Sequence, residues 1–256
     1  WLLPLIAVML TSMRTFEDVL AGNYWTFPEE TALISNYAAV FEGGKMGRFF
    51  LNSLIITLPT VIGTLFLSSL AGYSLAMHRF KLNLLVFAMF IAGNFVPFQI
   101  LMIPVRNISI EMGMYNTHMG LIIFHIAFQT GFCTFFLRNF IKALPFELIE
   151  AARADGATEW IIYRKIIIPC IVPALAALGV LEFTFIWNDY FWALVLTQGD
   201  TVKPITVGLD VLRGQWTTSW NLVSAGSVVA ALPPVIMFFI LQRQFIQGLT
   251  FGAVKG

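Results

Sequence analysis

The sequence predicts an all-α integral membrane protein, and three observations carry that expectation. The chain of 256 residues is 58% hydrophobic and only 11% charged, where a soluble domain carries about 25% charge. Its mean hydropathy is +0.81. Its apolar runs reach the roughly 20 helical residues needed to cross about 30 Å of hydrocarbon. A soluble fold this apolar would expose large patches and aggregate, so the composition excludes an ordinary soluble enzyme, a disordered chain and a collagen. Backbone groups in lipid must be paired within the segment, and the alternation of a barrel is absent, so the spans are helices.

Six spans follow in order. Residues 1–10 are apolar but too few to cross, and lack the basic start and small-residue cleavage site of a signal peptide. They read as the end of a first span whose start precedes Trp1. The second span covers about 49–77 and the third about 84–105, where Pro97 and Pro104 break the hydrogen-bond ladder. The fourth covers about 120–137, the fifth 170–196 and the sixth 222–241. Between the first two, the polar segment 11–48 reads as a short helical excursion plus loop. Ser68-x-x-x-Gly72 and Gly226-x-x-x-Ala230 are small-residue pairs that let helices approach closely. The whole chain, 1–256, is one transmembrane domain.

Orientation comes from the loop cations. Arg79, Lys81, Arg138, Lys142, Arg153, Arg164, Lys165, Arg243 and Lys255 lie on one side, against six Lys and Arg on the other. The first set is expected in the cytoplasm, which puts 11–48 and 198–219 outside and the 138–169 loop and the tail inside.

The chemistry that is missing narrows the function. No basic stripe offers a nucleic-acid surface. Cys133 and Cys170 lack CxxC spacing and read as buried free thiols, and the three histidines are scattered, so no metal site is expected. The nearest approach to a phosphate loop, Gly43-Gly44-Lys45-Met46, has Ala39 in place of the first Gly and Met46 after the Lys. Neither H-E-x-x-H nor G-x-S-x-G occurs, and no paired carboxylates form a catalytic constellation.

The most informative stretch runs from Leu144 to Trp160. Pro145 suits a first helical turn, Glu147 and Glu150 suit the positive end of the helix, and Gly156 suits a left-handed end. A second short helix is expected from Thr158 to about Ile168, before Pro169. A connector needs only a few residues, and this one uses about 30. It reads either as a solvated connector or as a narrow alanine-faced helix made for a partner's cleft.

Glu150-Ala151-Ala152, Asp155-Gly156-Ala157 and Ile166-x-Ile168-Pro169 resemble the EAA motif of membrane subunits of bacterial ABC importers, with Ile168 where Leu is usual. Trp187-Asn188-Asp189 resembles the W-N-[DE] segment of the carbohydrate-type branch, with Ala193 where Pro is frequent. The tail Gly248-Leu249-Thr250-x-Gly252-Ala253-Val254-Lys255-Gly256 is similar to that branch's cytoplasmic end. The resemblance covers the whole chain and implies a Type I importer permease with six transmembrane helices, multi-pass in the bacterial inner membrane. It implies a transport subunit rather than an enzyme. A second permease subunit, a non-identical homologue, would complete the path. A periplasmic or lipid-anchored binding protein would deliver a sugar-like solute. A dimer of ATPase subunits would bind Mg-ATP, with no cofactor in this chain. Glu147, Glu150, Ala151, Ala152, Asp155, Gly156, Ala157 and Pro169 would couple to those ATPases, and Gly248, Gly252 and Lys255 belong to the tail.

Candidate path residues come from polar groups inside spans. Asn94 and Gln99 offer hydroxyl partners to a sugar, or interhelical hydrogen bonds. Glu182, about 18 Å along the fifth span from Cys170, sits near mid-membrane, where a carboxyl is costly. It either faces the wet path or is neutral and bonded to a neighbouring helix. Trp187, Asn188 and Asp189 lie near the outer boundary, where aromatics stack on sugars or form an interfacial belt. The competing class is an ion-coupled secondary transporter, which would show two related halves and intramembrane ion ligands; no related halves are visible.

Overall fold

The computed structural model describes residues 2–213 and 218–250, those after Arg243 by backbone alone. In chain order the helices are α1 Leu3–Ser12, α2 Phe16–Leu20, α3 Leu33–Glu42, α4 Met46–Met77, α5 Asn83–Ala92, α6 Met102–Glu111, α7 His118–Lys142, α8 Glu147–Ala154, α9 Glu159–Ile162, α10 Ile168–Trp187, α11 Phe191–Leu196, α12 Ile205–Gly208 and α13 Trp220–Thr250. Among the described residues the only β pairing is an isolated antiparallel bridge between Arg213 and Thr218.

The second span, α4, shows how a membrane sorts residues. Ser53, Thr57, Thr60, Thr64 and Ser68 are buried, while Leu51, Ile55, Leu58, Ile62 and Phe66 are exposed. Each set recurs at three- and four-residue steps, two residues out of phase, so they occupy opposite faces. In water this arrangement would be inverted. In lipid, large apolar side chains face the solvent and small hydroxyls line the helix contacts.

Among the described residues, four helices are long and apolar enough to cross: Met46–Met77, His118–Lys142, Glu159–Trp187 and Trp220–Arg243. The third span is a bent pair, Asn83–Phe95 and Phe98–Glu111, at 93°. Only one of its two prolines breaks it. Val96 before Pro97 is extended, at φ −74° and ψ 120°, because the proline ring disfavours helical geometry in the residue before it. Pro104 is the third residue of α6, where its missing N–H has no intrahelical partner to lose. Asn83 Nδ2 donates to Leu75 O and His78 O at the end of α4, whereas His118 Nε2 meets Asn52 Oδ1 near its start, at 2.8 Å. Taken as one span, the bent pair brings the crossing helices among the described residues to five.

The fifth span differs from its expected 170–196. It begins at Glu159 and ends at Trp187. The expected short helix before Pro169 instead runs through that proline into the span, by way of a π-helical turn over Tyr163–Ile167. Such a turn widens the ladder ahead of Pro169, so the ring is accommodated without ending the helix. The connector between spans four and five shrinks accordingly from 138–169 to 143–158. Arg138, assigned to it from sequence, belongs to α7. Its guanidinium lies 3.7 Å from the centre of the Phe87 ring.

The chain divides into two compact units. One comprises Trp1–Ile56, Ile108–Leu121 and Trp187–Ile236. Buried amides knit it: Asn36 Nδ2 donates to Ser12 O and Arg14 O at 2.9 and 2.8 Å, and Asn221 Nδ2 to Asn36 Oδ1 at 3.0 Å. The other comprises Thr57–Asn107, Ile122–Ile186 and Met237–Gly256. Its core holds Tyr73, Cys133, Leu137, Ile141, Ile149, Ile162, Tyr163, Ile167 and Ile171. Gly72 serves this unit as expected: a Cβ there would stand 3.1 Å from Arg138 N and 3.2 Å from Leu137 Cβ.

Candidate functional site

The site is α8 with its turn. Pro145 precedes the helix, and Glu147 and Glu150 occupy its first turn, both exposed. The carboxylates therefore sit where unpaired N–H groups and the macrodipole favour them. The helix ends at Asp155 and Gly156. Gly156 has φ +79°, and its N–H donates to Arg153 O while Ala157 N–H donates to Ala152 O, each at 3.0 Å. These two bonds make a Schellman closure, which needs the left-handed residue that glycine supplies most cheaply. A Cβ at Gly156 would meet nothing within 4 Å.

One face of α8 is held and the other is offered. Ile149 is 1% exposed and inserts into the core of its unit, against which Ala152 and Ala157 also pack. Glu147, Leu148, Glu150, Ala151, Ala154 and Asp155 are exposed, as are Phe146 before the helix and Trp160 after it. The result is a slim acidic and alanine face flanked by uncovered large apolar groups. Sequence reasoning missed Ile149; its signal was a lone β-branched residue among Glu, Ala and Arg. It also missed Glu159, which accepts from Arg153 Nε at 3.0 Å. That hydrogen bond holds the Arg153 guanidinium above its ordinary pKa. Pro169, exposed at the start of α10, lies beyond the π-helical turn.

The candidate path residues fall in both compact units. Asn94 is exposed and donates to Phe90 O at 2.8 Å, and Gln99 is exposed beyond the break. Glu182, expected either to face a wet path or to bond to a neighbouring helix, is 0% exposed within this chain, and Cys133 Sγ donates to its Oε1 at 3.2 Å. That hydrogen bond joins α7 to α10. Cys133 is buried as expected, whereas Cys170 is only half-buried.

Trp187 is likewise unavailable for stacking on a sugar. It is 1% exposed, its Nε1 donates to Ala230 O at 2.9 Å, and Phe50 meets its ring edge-on at 5.4 Å. Asp189 restarts the chain after the break: its carboxylate accepts from Trp192 N at 3.2 Å and Ala193 N at 2.9 Å. The N–H of Ala193, which proline lacks, is thereby used. Asn188 is exposed. Gly248 lies on the α13 backbone, and Gly252 and Lys255 lie outside the described residues.

In the other unit, the segment after α11 is pinned to the start of α4. Asn52 Nδ2 donates to Thr201 O and Lys203 O at 3.0 and 2.9 Å, and Ile205 N–H donates to Ser53 Oγ at 2.8 Å. Lys45 Nζ donates to Asp200 at 2.9 Å, and this bond holds the Asp200 carboxyl below its ordinary range.

Residues 65–251 match the family described as binding-protein-dependent transport system inner membrane component. The chain is 35% identical to an osmoprotective compounds uptake permease protein of Synechocystis sp., over 100% of this chain and 88% of that one. It is 34% identical to an arabinooligosaccharides transport system permease protein of Halalkalibacterium halodurans, over 99% and 91%. It is 36% identical to a lactose transport system permease protein of Rhizobium radiobacter, over 98% and 90%. In fold it is similar to a chain of a bacterial ABC transporter that imports alginate, with TM-score 0.84, 23% identity and coverage of 95% and 90%. A multi-pass helical chain, carrying an EAA-like helix closed by a left-handed glycine and matched over most of its length, belongs to the binding-protein-dependent transport system inner membrane components.

Proposed function

We propose that this chain is the permease subunit of an ATP-driven importer for a sugar or sugar-like solute in a bacterial inner membrane. The observation that carries the reading is α8: a short helix anchored by Ile149 and presenting Glu147, Glu150 and Ala151 outward. Exposed Phe146, Leu148 and Trp160 beside it form a patch of the kind that marks a protein contact. The occupant is an ATPase subunit, one of a pair that binds Mg-ATP, and its movement on ATP binding displaces α8 as a lever.

A second permease subunit, a non-identical homologue, completes the path. A solute-binding protein docks outside; one similar structure is of an alginate transporter in complex with an alginate-pentasaccharide-bound periplasmic protein. The substrate class rests on the relatives, whose names specify osmoprotective compounds, arabinooligosaccharides and lactose. No observation favours an ion-coupled carrier. The test is ATP hydrolysis by the complex reconstituted with its binding protein, across sugars, polyols and glycerol-phosphate-like solutes. Stimulation by one solute class supports the reading. Solute uptake driven by an ion gradient without ATP refutes it.

A further inference from the structure

The coupling loop is joined to the spans by more than its backbone. Glu159, the first residue of α9, has both carboxylate oxygens engaged. Oε1 accepts from Arg153 Nε at 3.0 Å, while Oε2 accepts from the Tyr73 hydroxyl at 2.5 Å and lies 3.4 Å from His78 Nε2. Arg153 belongs to the last turn of α8, and Tyr73 to the last turns of α4. One side chain therefore ties its own helix, α9, to two others, α8 and α4.

The two ends of this tie differ. Tyr73 is 6% exposed, and its ring lies 5.5 Å from that of Tyr163, whose hydroxyl pairs with Ser69 Oγ at 2.7 Å. That end is fixed in the core. The other end is the exposed Arg153. Between α8 and α9 the chain itself offers only a turn through Gly156, around which there is open space. Apolar packing of Ile149, Ala152 and Ala157 holds α8 from its inner face, and the Glu159 carboxylate is the polar tie that spans the turn from its outer side.

We propose that Glu159 is a positioning residue that clamps the end of α8 to both α4 and the fifth span, so that displacement of α8 reaches both spans together. The proposal rests on the reading of α8 as the ATPase lever. Exposed ion pairs contribute little to stability, and Glu159 is half exposed. The clamp's effect therefore falls on transmission rather than on folding. The buried tyrosine makes it directional, because a charged acceptor to a buried hydroxyl is the stronger kind of hydrogen bond.

Two measurements test it. In the full chain in lipid nanodiscs, Glu159→Ala and Tyr73→Phe should each raise amide exchange across 151–157 about fivefold, and the double variant no further. In the reconstituted complex, Glu159→Ala should lower solute moved per ATP hydrolysed about fivefold while the hydrolysis rate stays within twofold of wild type. Glu159→Gln, which keeps an acceptor for Tyr73, should recover part of the loss. Unchanged exchange in both single variants overturns the clamp. Changed exchange with an unchanged transport-to-ATP ratio overturns its role in transmission. If the wild-type chain fails to couple to any ATPase, the functional reading falls and the transmission role with it, while the exchange experiment still decides the clamp.

Discussion

Gly156→Asp separates a demand of the turn from a demand of the partner. Gly156 sits at φ +79° with no atom within 4 Å of a built Cβ. Within this chain the substitution meets no clash, only the cost of a left-handed residue. That cost is roughly 1–2 kcal/mol for an ordinary L-residue, and less for Asp, whose short polar side chain visits this region. The isolated subunit should therefore melt within a few degrees of wild type. In a partner's cleft the same carboxylate would stand beside Asp155, Glu150 and Glu147 and fill space the glycine leaves open. Binding-protein-stimulated uptake in proteoliposomes should fall at least tenfold, while Gly156→Ala falls less. Wild-type uptake by Gly156→Asp would sink the reasoning. A collapse of the isolated subunit would show that the turn, not the docking surface, is what the glycine serves.

Ile149→Ala removes the apolar knob that holds α8. A buried Ile→Ala change costs about 2–5 kcal/mol, so protease cleavage at Arg153 in the full chain should accelerate at least tenfold; unchanged cleavage would mean that α8 is held elsewhere. Glu182→Leu replaces a buried carboxyl with an apolar group of similar size, which is often neutral or stabilising. The variant should melt at or above the wild-type temperature, and a fall of several degrees would show that the Cys133 contact supports the fold. Single cysteines at Lys165 and Lys203 test orientation in intact cells. An impermeant thiol reagent should label only the 203 variant, and labelling at 165 would reverse the topology.

Much of the coupling loop was legible because its determinants are local. The acidic first turn, the alanines and Gly156 act within one helical turn of their own backbone, and the structure has Gly156 at φ +79° as its position implied. The kink of the third span was legible for the same reason, since Pro97 acts on Val96, its immediate neighbour. Pro169 misled because a proline can end a helix or be accommodated by a widened turn. The turn over Tyr163–Ile167 is backed by the burial of Tyr163 and Ile167, a tertiary fact. The burial of two candidate path residues was not legible for a similar reason. Glu182 and Trp187 were read from depth along a helix, but rotation about that axis is set by what packs against it, here Cys133 and Ala230.

The sequence by itself determined that the chain is helical, that it spans a membrane several times, and that one loop carries a short acidic and alanine-rich helix ending at Gly156. Composition and run length decide the first two, because hydrocarbon imposes one rule on every residue. Spacing along a single turn decides the third. Only the tertiary structure decided that Ile149 anchors that helix, that Glu182 is buried within this chain, and that Glu159 meets Tyr73 across 86 positions of chain. Those contacts join residues far apart in sequence, and which side chains meet depends on how neighbouring helices rotate and pack.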